Sequence, residues 1–313
     1  MTTTAAPRAR TPQRAGDRWF SGMALFAGSM ILVTLAAVAL FLVAQSIPGI
    51  SGTPETASLL STNFWDYVWP LAFGTVWASF LALLIAVPLS IGVALFISHY
   101  APRRLAQPLG YIVDLLAAVP SVVFGLWGIL VLAPAVQPIY AWLVENAGWF
   151  PLFAGPTSST GRTIFTAAIV LAVMVLPIIT AICREIFLQT PVLHEEAALA
   201  LGATRWEMVR MAVLPFGRSG IVSASMLGLG RALGETMAVA MVLSATGVVS
   251  FRLLTPENPS TIPANIALTF PEAYGGNINV LIATGLILFI VTFAVNAVAR
   301  WIVSRRKEFS GAN

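Results

Sequence analysis

The chain has 313 residues, of which 58% are hydrophobic and only 10% charged, with a mean hydropathy of +0.86. Soluble domains carry about 25% charged residues, so there is too little polar surface here to cover a water-soluble globule, and the bilayer is the expected solvent. Seventeen basic residues against thirteen acidic ones give a net charge of +4 and a pI near 9.7, but the arginines flank apolar blocks instead of forming a run, which argues against a nucleic-acid partner.

Residues 1–18 are polar and carry Arg8, Arg10, Arg14 and Arg18, reading as a cytosolic tail. The apolar block that follows is too long for the core of a signal peptide and reads as an uncleaved first helix. Six segments satisfy the requirement of about 20 apolar residues for a span, at 20–45, 69–98, 109–135, 163–183, 219–247 and 277–300. The fold class expected is an all-α integral membrane protein with six transmembrane helices. Residues 19–68 would hold the first helix and an outer loop, 69–303 the main transmembrane domain, and 304–313 a second cytosolic tail. Pro88 and Pro120 fall inside the second and third spans and are expected to kink them.

Charge sets the orientation. With both termini in the cytosol, fourteen basic residues lie inside, only Arg162 and Arg252 lie outside, and Arg231 is left within the fifth span. Trp65, Trp69, Trp142 and Trp149 then fall at the outer interface, where an aromatic belt anchors a membrane protein. Of the basic residues only Lys307 is a lysine, and no Gly-Lys pair exists, so the chain has no P-loop. It is not expected to be an enzyme, and any ATP it depends on is hydrolysed on a separate subunit. The single Cys183 excludes an internal disulfide, His99 and His194 make no metal-ligand pattern, and no cofactor is expected.

The cytosolic connection after the fourth span, residues 190–215, reads as helix, turn, helix. Thr190 suits an N-cap and Pro191 the first helical position. Glu195 and Glu196 lie where the helix dipole favours acids, and Gly202 suits a left-handed stop. Thr204 and Glu207 form a T-x-x-E capping box for a second helix, and Pro215 marks the approach to the next span. An ordinary amphipathic connection and a rigid knob for a partner's groove are both compatible with this pattern.

The fifth span contains Gly228-Leu229-Gly230-Arg231-Ala232-Leu233-Gly234-Glu235-Thr236-Met237. A charge at bilayer depth costs about 2.5–3.5 kcal/mol or more, so two of them need a reason. Arg231 and Glu235 stand four residues apart, a spacing that lets them share a helix face and pair. Two readings follow: a structural pair fixing helix register, or a cationic station for an anion with Glu235 steadying Arg231. Guanidinium suits oxyanions through its planar fork of donors. Gly230 and Gly234 form a GxxxG pattern that allows close helix packing. Asp114, early in the third span, reads as structural, and Ser223, Ser225, Thr236 and Ser244 either line a route or bond to their own backbone.

The stretch Glu196-Ala197-Ala198-x-x-x-Gly202, followed by Leu214-Pro215, resembles the EAA loop of binding-protein-dependent ABC importer permeases of type I. The stretches 230–239 and 114–125 are similar to those of the PstC family of phosphate permeases, and the likeness covers about residues 70–303. The resemblance implies the type I ABC importer permease fold in the bacterial cytoplasmic membrane. It implies that Glu196, Ala197 and Gly202 dock an ATPase and that Arg231, Glu235 and Thr236 belong to a phosphate pathway. The partners implied are a sister permease (PstA), an ATPase dimer (PstB) and an extracytoplasmic phosphate-binding protein (PstS), which would deliver to loops 46–68, 136–162 and 248–276. The same machine for sulfate, molybdate or phosphonate is the nearest alternative. A stand-alone secondary transporter is a further one, although no inverted repeat is evident.

Overall fold

The computed structural model describes residues 15–307, and among these the regular structure is helical apart from one isolated bridge between Ala245 and Asn258. The helices are α1 (Ala15–Ile50), α2 (Phe64–Leu95), α3 (Arg103–Ala117), α4 (Ser121–Trp127), α5 (Ala133–Ala147), α6 (Ile164–Leu188), α7 (Val192–Ala200), α8 (Arg205–Met208), α9 (Leu214–Leu233), α10 (Met237–Val242), α11 (Ile262–Thr269) and α12 (Gly276–Lys307). Six helical runs are long and apolar enough to cross a bilayer: Trp19–Ile50, Phe64–Tyr100, Ser121–Ala147, Ile164–Leu188, Arg205–Leu233 and Gly276–Trp301. The number expected from hydropathy is therefore met. Of the expected tails, 1–14 and 308–313 lie outside the described residues, and helix already occupies 15–18 and 304–307.

Two spans sit elsewhere than expected. The third begins at Ser121, not near 109, because the chain leaves the helix over Ala118–Pro120. Pro120 thus precedes a helix instead of kinking one, in keeping with the bias of a residue before proline away from helical angles. The segment upstream, α3, is a separate helix that carries Arg103, Arg104, Gln107 and Asp114 among its apolar residues. The fifth run begins at Arg205 and ends at Leu233, earlier at both ends than the expected 219–247. Pro88 leaves α2 helical throughout.

Among the described residues three π turns occur: Phe96–Tyr100 ends the second span, and Gly128–Leu132 and Val209–Val213 lie within longer helical runs. Each stands just before a proline: Pro102, Pro134 and Pro215. A proline offers no N–H to the carbonyl four residues back and its ring crowds that carbonyl. At Pro134 and Pro215 the wider turn, closed by Ala133 and Leu214 donating five residues back, makes room for the ring, whereas the turn closed by Ala101 ends its helix in extended backbone at Ala101 and Pro102. At Pro215 the helix therefore continues from the loop into the span without a stop.

The core is organised around α6, whose Ala168, Leu171, Met174, Val175, Ile179, Cys183 and Phe187 are buried against α2 and α9. Close approach of α9 to α6 occurs at Gly217, Gly220 and Gly228, where a Cβ would meet Phe187, Ile186 and Ile179. The expected GxxxG pair does not do this within the chain: no atom of another helix lies within 4 Å of a Cβ built on Gly230 or Gly234. By contrast α1 is exposed along its apolar length and packs chiefly on α12, as a helix solvated by lipid can. Trp65, Trp69, Trp142 and Trp149 are all exposed, as interfacial anchors should be.

Candidate functional site

Arg231 lies in the last turn of α9 with its side chain exposed, and Glu235 lies two residues beyond the end of that helix, 7% exposed. The pairing expected from their four-residue spacing does not form. The helix stops at Leu233, Gly234–Thr236 are not helical, and the two side chains no longer share a face. Instead Glu235 turns forward and its Oε1 accepts a hydrogen bond of 3.0 Å from the Ala238 N–H, capping the first turn of α10. An acid at that position also suits the positive end of the helix. Among the described residues Arg231 forms no ion pair and no hydrogen bond. Thr236 donates to the Gly234 carbonyl at 3.2 Å, which helps satisfy the backbone opened by the break. Ser223 and Ser225 return their protons to the carbonyls of Ser219 and Ile221, so neither hydroxyl is held out for a ligand.

The short helix α10 that follows the break packs on α4. A Cβ on Gly125 would stand 3.0 Å from Ala238 Cα and from Met241 Sδ, and one on Gly128 would stand 2.7 Å from methyls of Val170 and Val242. The two sequence stretches that carry the resemblance, 114–125 and 230–239, are thus brought together. The C-terminal end of α10 is held by Arg162, a residue that the sequence marked only as a charge expected on the outer side. Its Nη2 donates to the Met241 carbonyl at 3.1 Å and its Nε to Val242 at 3.4 Å. The only advance signal was that an arginine outside is rare in this chain.

At the other end of the bundle, α7 and α8 form the expected hairpin. Thr190 does not cap it: the helix begins at Val192 after Pro191, and the Thr190 hydroxyl is buried without a partner. Gly202 does supply the stop, with φ +84° and its N–H on the Leu199 carbonyl at 2.9 Å. The capping box is complete, with Thr204 Oγ1 accepting from the Glu207 N–H and Glu207 Oε2 accepting from the Thr204 N–H at 2.8 Å. Glu195 points back to the body, where His99 Nε2 lies 3.4 Å from its Oε1, while Ser98 Oγ meets His99 Nδ1 at 2.7 Å. Glu196 and Ala197 point outward beside exposed Val192, Leu193, Leu199 and Leu201, the last 89% exposed. Asp114 pairs with Arg184, Oδ2 to Nη2 3.5 Å, tying α3 to α6. Among the described residues no group of His, Cys, Asp and Glu could hold a metal ion.

Residues 86–308 match the model of the family described as binding-protein-dependent transport system inner membrane component, and the chain belongs to that family of multi-pass inner-membrane permeases. It is 48% identical over 303 residues to the phosphate transport system permease protein PstC 2 of Mycobacterium tuberculosis, covering 92% of each chain. To the phosphate transport system permease protein PstC of Mycobacterium leprae it is 45% identical over 306 residues, 94% of this chain and 95% of that one. A chain in the crystal structure of a bacterial alginate ABC transporter, in complex with alginate pentasaccharide-bound periplasmic protein, has the same fold: TM-score 0.60 at 17% identity over 91% of this chain and 95% of that one.

Proposed function

We propose that this chain is the permease subunit of an ATP-driven phosphate importer and forms the translocation pathway with a second, similar permease. The observation that carries the reading is the state of Arg231. Its only acidic neighbour in sequence is diverted into a helix cap, so an exposed guanidinium in a membrane span is left without a counter-ion among the described residues. Desolvated charge of that kind persists where something polar meets it. Guanidinium suits a phosphate through charge-assisted, forked hydrogen bonds. The identity to PstC permeases along nearly the whole chain supports phosphate over other oxyanions.

In this reading the hairpin of α7 and α8 is cytosolic, as are both termini, and it docks an ATPase subunit. Glu196, Ala197 and the exposed leucines make the contact, and Gly202 sets the angle between the two helices. An external phosphate-binding protein delivers to the loops at the opposite end. ATP binding closes the ATPase pair and favours the outward-facing state of the permeases, a shift of populations set by differential affinity.

The test is uptake of radiolabelled phosphate into proteoliposomes holding the full importer, with sulfate and molybdate as competitors. Arg231→Ala should lower uptake by about 10- to 100-fold, the loss expected for hydrogen bonds to a charged group, while the complex still assembles. Wild-type uptake in that variant removes Arg231 from the pathway, and uptake of sulfate in place of phosphate reassigns the substrate. Glu196→Lys should uncouple ATP hydrolysis from uptake, and unchanged coupling would end the docking role.

A further inference from the structure

A helix of six residues has few bonds of its own to hold it, because its end carbonyls find no N–H of their own helix. In α10 those carbonyls are taken by one side chain. Arg162 donates from Nη2 to Met241 at 3.1 Å and to Leu243 at 3.5 Å, and from Nε to Val242 at 3.4 Å. Its positive charge also sits at the negative end of the helix dipole. With these donors engaged on backbone, the guanidinium is a fastener and not a receptor for an anion.

Arg162 is itself anchored. Its carbonyl accepts from Asn258 Nδ2 at 3.4 Å, and Asn258 is fully buried. The Asn258 amide also donates to Ser244, just beyond α10, at 3.2 Å, and its Oδ1 takes the N–H of Ile164, the first residue of α6, at 2.9 Å. A little further on, the Ile262 N–H donates to Thr75 Oγ1 of α2 at 2.9 Å. One buried node therefore joins the start of α6, the end of α10 and the loop before α11, and that loop is tied in turn to α2. At its N-terminal end α10 is fixed by the Glu235 carboxylate, four residues after Arg231, and by the close approach of Gly125 of α4 to Ala238.

We propose that Arg162, seated by Asn258, is a positioning residue for transport. By clamping the outer end of α10 it fixes where the break after α9 falls, and so where Arg231 stands, and it carries displacements of the outer loop to that point. The transport role rests on the phosphate reading above; the clamp itself does not.

The experiment uses the complete importer in proteoliposomes with its loaded binding protein, and compares wild type with Arg162→Gln and Arg162→Lys. Three quantities are read on the same samples: radiolabelled phosphate taken up per ATP hydrolysed, the concentration of loaded binding protein giving half-maximal uptake, and hydrogen–deuterium exchange of the peptide spanning 236–245. Arg162→Gln should speed exchange in that peptide by about tenfold and lower phosphate moved per ATP by a similar factor, what loss of a charged hydrogen-bond donor brings. The half-maximal concentration should stay put, and Arg162→Lys, which keeps the charge but not the fork, should lie between. A general loss of structure would instead speed exchange throughout and lower ATP hydrolysis too. Unchanged exchange at 236–245 overturns the clamp, and faster exchange with wild-type phosphate per ATP overturns the positioning role. If Arg162→Gln fails to assemble, Arg162→Lys decides by the same readings. Should the wild-type importer carry another anion, the phosphate reading falls, while that anion's uptake per ATP and the exchange rates still decide the role of Arg162.

Discussion

The contact of the π turn after α4 with α6 and α10 can be tested with a single methyl group. In Gly128→Ala the new Cβ would stand 2.7 Å from Val170 Cγ2 and equally close to Val242 Cγ2. Carbon atoms pack at about 3.5–4.0 Å, so both methyls must retreat by roughly 1 Å. Neither has room: Val170 is 1% exposed in the middle of the core, and Val242 is fully buried at the end of a helix whose carbonyls Arg162 holds. Overpacking of this kind costs about 1–3 kcal/mol. Alanine returns up to about 1 kcal/mol through its greater helix propensity, which leaves a net loss of about 0–2 kcal/mol against wild type and about 1–3 kcal/mol against a site that has only the propensity gain. Thermal unfolding of the purified protein in detergent, followed by tryptophan fluorescence at one scan rate, should show a fall of up to about 8 °C from wild type. The control is Gly92→Ala in α2, where no atom lies within 4 Å of the new Cβ and only the propensity gain applies. If Gly128→Ala melts as high as Gly92→Ala, the packing of the Gly128 turn against Val170 and Val242 is not tight.

Other perturbations separate conformational from packing effects. Gly202→Ala meets no neighbour, but φ of +84° costs an L-residue roughly 1–2 kcal/mol, so the ATPase should co-purify less well while the melting of the spans barely moves. Thr204→Ala removes the cap of α8 and should destabilise the hairpin by about 1 kcal/mol, read as faster amide exchange at 205–208. Gly110→Ala would drive a methyl into Arg184 Nη1, the free end of a flexible side chain, and break its pair with Asp114. An exposed pair of that kind contributes about 0–1 kcal/mol, so a large drop in melting temperature would show that α3 is held by more than packing and this contact.

What could be read from the sequence was what depends on near neighbours or on bulk apolarity. The six spans follow from runs of apolar residues, and the Thr204–Glu207 box and the Gly202 stop follow from chemistry within three or four positions. The breaks were invisible because Ala117-Ala118-Val119 and Leu233-Gly234 are as apolar as the helices beside them, and hydropathy cannot tell a kinked span from two helices. The misplacement of Arg231 and Glu235 came from applying helical spacing across an undetected break. Arg162 and Asn258 were missed because their partners are remote in the chain: Met241 and Arg162 stand 79 residues apart, Asn258 and Ile164 94. Proline before helix, as at Pro120-Ser121, and an arginine on the outer side were the local signals available.

The break in the fifth span explains why a carboxylate belongs there even though it does not neutralise Arg231. Ending one helix and starting another three residues later leaves N–H and C=O groups that neither helix satisfies. The Gly234 N–H returns to Gly230, the Glu235 N–H to Ala232, and the Ala238 N–H goes to the Glu235 side chain. That last bond needs an acceptor oxygen, and a charge only improves it. Glu235→Gln keeps an oxygen at the same reach and should leave exchange across 236–245 within about threefold of wild type. Glu235→Ala leaves the N–H bare and should lose about 1 kcal/mol of α10 stability, the usual worth of a cap. Any loss of phosphate uptake in the Gln variant then measures the need for charge beside Arg231, separately from the fold. If the Gln and Ala variants exchange equally fast, the carboxylate is not a cap, and the reason given for an unpaired Arg231 fails with it.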